Sequence, residues 1–138
     1  MGSTDELKIV LTWGETPLDL DSHLYTPLID GLSYHIYYLD KGTLSEVPYA
    51  CLDIDDMSSY GPETIWIETF YPGTYIYKVY NFSGTESLTT SSASVSVIDR
   101  DGVIATFDVP TTGTGLWWTV FEIDGATMAI TPINTIGD

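Results

Sequence analysis

The chain is poor in cations, in sulfur and in long apolar runs. Lys and Arg total four against twenty Asp and Glu, for a formal net charge of −16. A surface of that sign repels phosphate backbones and anionic head groups, which excludes nucleic-acid binding and attachment to an acidic membrane. Cys51 is the single cysteine, so no internal disulfide and no cysteine metal cluster is available. It lies between Ala50 and Leu52 and reads as a small buried hydrophobe. No apolar stretch approaches the length of a membrane span, so membrane insertion is not expected. Met1-Gly2-Ser3 has neither the charge nor the apolar run of a signal peptide. Residues 1–4 read as an expression scar, and this end does not report the compartment.

Sustained helical periodicity with caps is also missing. The 138 residues are 43% hydrophobic and 13% aromatic, enough for a packed core despite the charge. Tyr, Thr, Ile and Val dominate where a helix would use Ala, Leu, Glu and Lys. Strands are expected over residues 7–13, 33–39, 63–69, 74–80, 93–98, 103–109, 116–123 and 128–133. Shorter ones are expected near 20–25 and 49–53. Asp101-Gly102 and Asp124-Gly125 signal tight hairpins, and the Ser/Thr-rich residues 83–94 an exposed loop. The expectation is one all-β domain over residues 1–138, an Ig-like or jelly-roll-type β-sandwich of about nine or ten strands.

The acids are uneven. Residues 1–69 hold 13 acids and 2 bases, whereas residues 70–138 hold 7 and 2. In Asp19-Leu20-Asp21-Ser22-His23, strand alternation puts 19, 21 and 23 on one face and Leu20 and Leu24 toward the core. Asp53-Ile54-Asp55-Asp56 repeats the pattern, and Gly61-Pro62-Glu63 presents a carboxylate from a turn. Drawn together without a cation, these acids would repel one another. Ca²⁺ takes six to eight oxygens from such groups, so the candidate ligands are Asp19, Asp21, Asp53, Asp55 and Asp56, with Glu63 and His23 nearby. Zn²⁺ is the alternative, through His23 and His35 with one or two Asp. The competing readings are a solvated strand face for the acids, a hydrogen-bonded sheet histidine for His35, and a turn-stabilising carboxylate for Glu63. The spacing excludes an EF-hand.

These motifs carry a resemblance. Thr12-Trp13-Gly14, Asp19-Leu20-Asp21-Ser22-His23-Leu24, Leu52-Asp53-Ile54-Asp55-Asp56 and Gly61-Pro62-Glu63-Thr64 follow the order of a bacterial surface-module family. The chain is similar to the YfaP-type domains of unknown function. The resemblance continues through Tyr77–Ser83 and Trp118–Ile123 to about Thr135. It implies a secreted or surface-anchored β-sandwich within a larger protein. No activity and no catalytic residues follow from it.

Catalysis finds little support in the residues. There is no Gly-x-Ser-x-Gly elbow and no Cys/His signature around Cys51. The acids are too dense to divide into one acid and one base for glycoside hydrolysis. The expectation is therefore a non-catalytic extracellular or cell-surface module, adhesin-like, with a Ca²⁺ site. Its partners would be a divalent metal, neighbouring domains and a glycan or surface protein. Carbohydrate binding is the rival reading, with Tyr37, Tyr71, Tyr80 and Trp117 as the candidate rings. An isopeptide bond between Lys8 and Asn134 is a third.

Overall fold

The computed structural model describes residues 6–17, 19–54, 60–84 and 87–138. It is an all-β sandwich of two antiparallel sheets. Eleven strands follow in chain order: β1 Leu7–Thr12, β2 Leu20–Tyr25, β3 His35–Ile36, β4 Gly42–Thr43, β5 Ala50–Ile54, β6 Glu63–Ile67, β7 Thr74–Asn81, β8 Ser94–Asp99, β9 Gly102–Asp108, β10 Trp117–Asp124 and β11 Ile130–Gly137. One sheet has the order β4-β5-β6-β1-β8-β9, the other β11-β10-β7-β2-β3. Among the described residues the only helical piece is the 3₁₀ turn Leu88–Thr90. No helix there is long and apolar enough to cross a membrane.

Alternation explains the inner faces. Leu7, Ile9 and Leu11 of β1, Ile65 and Ile67 of β6, and Val95 and Val97 of β8 fill one side of the core. Leu20 and Leu24 of β2, Tyr75, Tyr77 and Val79 of β7, and Trp118, Phe121 and Ile123 of β10 fill the other. Strand β10 breaks its period. Thr119 pairs with Lys78 but Phe121 pairs with Tyr77, so Val120 is the extra residue of a bulge. The bulge lets Trp118, Val120 and Phe121 all point inward.

The strand count exceeds the expected nine or ten because β4 is a two-residue partner of β5 that no pattern announces. The expected strand at 33–39 shrinks to His35–Ile36. The chain on either side closes into the isolated bridges Ile29–Leu32 and Tyr37–Asp40. The last strand runs later than expected, over Ile130–Gly137. Both Asp-Gly hairpins form, and the 3₁₀ turn interrupts the expected loop at 83–94. Cys51 is half-buried on β5 rather than fully buried. Its thiol is pushed above its usual range first by burial and then by Asp53.

Candidate metal site

Strand β2 places the first candidate ligands. Asp19 immediately precedes it, and its carbonyl accepts the Phe82 N–H. Asp21 follows on the outer face of the sheet and is only 2% exposed. The third carboxylate comes from the opposite sheet. Glu63 begins β6, directly after Gly61-Pro62, and is fully buried. Its Oε1 accepts the Ser22 backbone N–H at 2.7 Å, because β3 is too short to pair that part of β2. The Ser22 hydroxyl lies 2.7 Å from the Tyr77 hydroxyl on the core side. Burial raises the Tyr77 phenol well above its usual range, with the Ser22 hydrogen bond opposing.

Carboxylate oxygens of Asp19, Asp21 and Glu63 lie within 4.8 Å of one another. Asp19 Oδ1, Asp21 Oδ2 and Glu63 Oε2 are all withdrawn from solvent. Two oxygens on opposite sides of one Ca²⁺ stand about 4.6–5.2 Å apart, twice the usual bond length. The cluster therefore has the size of a single cation's ligand set. Without one, repulsion is on the order of 3 kcal/mol for each pair of charges at an effective dielectric constant near 20. A donor set of carboxylate oxygens suits a hard cation.

The other expected ligands among the described residues separate from this cluster. Asp53 is exposed on β5 and does not join it. Asp55 and Asp56 lie outside the described residues. His23 shares the outer face of β2 with Asp21, yet its ring turns to His35: Nδ1 of His23 lies 2.7 Å from Nε2 of His35. One imidazole donates and the other accepts, so the two facing lone pairs are not both open to a metal. Burial, then the His35 and Lys78 charges, lowers the His23 pKa to about 3. Burial also lowers that of His35, with Asp40 opposing. Among the described residues no set of both histidines with an Asp is assembled.

The aromatic candidates do not form a sugar platform. His35 is sandwiched between Tyr25 and Tyr37, with ring centroids 4.3 and 3.8 Å away. Tyr80 packs on Trp117 at 4.5 Å with a 43° tilt, and His23 meets Trp117 edge-on at 4.8 Å. Tyr71 stands apart beside Tyr49. Apart from the buried His23, these rings are half-buried and packed on one another, with no exposed coplanar row among them. Lys8 Nζ sits over Trp66 in one sheet, while Asn134 accepts the Trp118 indole N–H in the other. The proposed crosslink partners thus occupy different sheets with separate contacts.

Fold and site together define a class: an antiparallel β-sandwich whose two sheets contribute carboxylates to one buried acidic cluster. No family model and no curated protein matches the chain. Among solved structures it is similar to a homologue of telluride resistance protein (TerD), SCO6318 from Streptomyces coelicolor A3(2). The TM-score is 0.70 at 14% identity, over 99% of this chain and 93% of that one. It is also similar to the protein of unknown function SAV2460, with a TM-score of 0.62 at 15% identity over 97% and 92%. These likenesses show the fold. They overturn the expectation of an extracellular, adhesin-type module, because the architecture, followed nearly end to end, is that of a TerD homologue.

Proposed function

We propose that the chain is a non-catalytic metal-binding β-sandwich. Its Asp19–Asp21–Glu63 site holds one divalent cation, and that cation is Ca²⁺. The observation that carries this reading is the convergence of three carboxylates from two sheets within 4.8 Å. The all-oxygen donor set favours Ca²⁺ over Zn²⁺, since neither histidine joins it. The role of the ion is structural. It cancels the repulsion of the buried acids and links the start of β6 to the start of β2. The setting we propose is that of the fold neighbour, resistance to telluride. It is checked by comparing growth in a tellurium salt with the gene intact, deleted and carrying Asp21→Asn.

The direct test is calorimetric titration of chelator-treated protein with Ca²⁺, Mg²⁺ and Zn²⁺, followed by thermal unfolding. Ca²⁺ is expected to bind with a stoichiometry near one and to raise Tm. At 100 times Kd the native state gains about 2.7 kcal/mol. Asp21→Asn should lose at least about tenfold in affinity, or 1.4 kcal/mol. Equal responses of wild type and variant would defeat the assignment, and a response to Zn²⁺ alone would defeat the choice of ion.

A further inference from the structure

The outer face of the five-stranded sheet carries a second polar centre, which the acidic site does not use. Its charge is Lys78 on β7, one of four cations facing twenty acids in the chain. Lys41 and Arg100 are exposed, and Lys8 lies over Trp66. Lys78 is half-buried in mid-sheet, paired in register with His23 on β2 and Thr119 on β10. Its Nζ stands 5.7 Å from the ring centroids of both Tyr25 and Trp117. It makes no ion pair among the described residues. The acids on the same face are Asp21 on β2 and Glu122 on β10, each one same-face position along from the residues paired with Lys78, and Asp138 just after β11 lines the surface beside it.

Beside Lys78 the surface opens into a cavity of about 290 Å³, lined by Trp117, Thr119, Thr135, Ile136 and the Gly137-Asp138 segment. An ammonium, two hydroxyls and an indole converge there on the outer face, whereas the Ile136 side chain, paired with buried Trp118, turns to the core. The ammonium and hydroxyls are donors for an anion, and the indole offers an apolar wall. The net charge of −16 selects among anions, because long-range repulsion of a dianion is twice that of a monoanion. Phosphate is disfavoured on that ground, and a bare inorganic ion leaves the apolar wall uncovered.

We propose that this cavity binds a small organic monocarboxylate. Its carboxylate sits on Lys78 and the hydroxyls of Thr119 and Thr135, and its apolar body lies against the Trp117 indole. Asp138 is the internal competitor for the ammonium. The site is separate from the acidic cluster and does not depend on a metal there.

The test is an NMR titration of ¹⁵N-labelled protein with benzoate, acetate and inorganic phosphate at constant ionic strength. Four indole N–H signals are available, and Trp117→Phe assigns the one that matters. The Trp118 indole N–H, bonded to Asn134 at 2.7 Å, is the internal control. Benzoate should shift the Trp117 signal saturably and leave that of Trp118 in place, with acetate and phosphate each at least about tenfold weaker. Lys78→Met should weaken benzoate by about tenfold or more, while Lys78→Arg, which keeps the charge, should retain it. Asp138→Asn should tighten it. Thr119→Val supplies a second loss variant should Lys78→Met unfold. No saturable shift, equal shifts in wild type and both loss variants, or phosphate binding as tightly as benzoate would overturn the proposal.

Discussion

His23 shows how one residue's surroundings decide its chemistry. It is 5% exposed, hydrogen-bonded to His35, and surrounded by Tyr25, Tyr37, Tyr80 and Trp117. Its pKa falls from 6.5 to about 3 because burial penalises the imidazolium and the His35 and then the Lys78 charges add to the penalty. The unfolded chain therefore binds a proton between those two values and the folded chain does not. Stability from this residue is complete above pH 6.5 and declines as pH falls toward 3, by about 1.4 kcal/mol per pH unit. Urea unfolding between pH 6.5 and 4.5 should show that slope in wild type. His23→Gln, which cannot take up the proton, should be flatter by that amount. Equal slopes would mean that His23 is protonated in the native state. At this scale the sequence names Asp19, Asp21 and Glu63 among its candidate ligands, and the structure brings their carboxylates together. The histidine partnership is invisible in it, because His23 and His35 meet through the register of β2 on β3.

Among the elements, the turn before β6 decides whether the cluster exists. Gly61 has φ +75°, a conformation that costs any residue with a Cβ. A Cβ there would stand 2.8 Å from a Trp13 ring carbon and 3.0 Å from the Leu11 carbonyl oxygen. Neither can move far, since Trp13 and Leu11 are core residues. Gly61→Ala should destabilise the protein by about 1–3 kcal/mol through strain and overpacking. It should also weaken Ca²⁺ binding, because Glu63 hangs from this turn. Unfolding and titration of the same variant check both; unchanged Ca²⁺ affinity would mean that Glu63 is not a ligand. The Gly61-Pro62-Glu63 motif was legible as a turn presenting a carboxylate. Its destination was not, because Glu63 crosses to the other sheet to reach the Ser22 N–H. The Val120 bulge was hidden for a similar reason: Trp117–Ile123 reads as a simple alternating strand until β7 and β11 set its register.

For the whole molecule, charge and metal act on the same quantity. A net charge of −16 favours expansion, and both screening salt and a bound divalent cation oppose it. In chelator, Tm should rise as NaCl is raised from about 10 mM to 0.5 M, where the Debye length drops from roughly 30 Å to a few ångströms. With Ca²⁺ bound the rise should be smaller, because the most closely packed repulsion is already cancelled. Melting curves over that salt range, with and without Ca²⁺, test this. Identical salt responses would separate the ion from the charge balance of the fold.

The sequence by itself determined that the chain is an all-β sandwich, where most of its strands lie, and which acids could ligate a cation. Alternation, turn residues and charge are local properties, and each can be read within a few residues. Only the tertiary structure decided which acids meet. Asp53 stays exposed on β5 while Glu63, from the neighbouring strand, reaches Asp19 and Asp21. It also decided that the histidines face each other and that Lys78 stands over the rings of Tyr25 and Trp117. Those outcomes depend on how one sheet lies over the other and on cross-strand register, and both are set by core packing far along the chain from the residues concerned.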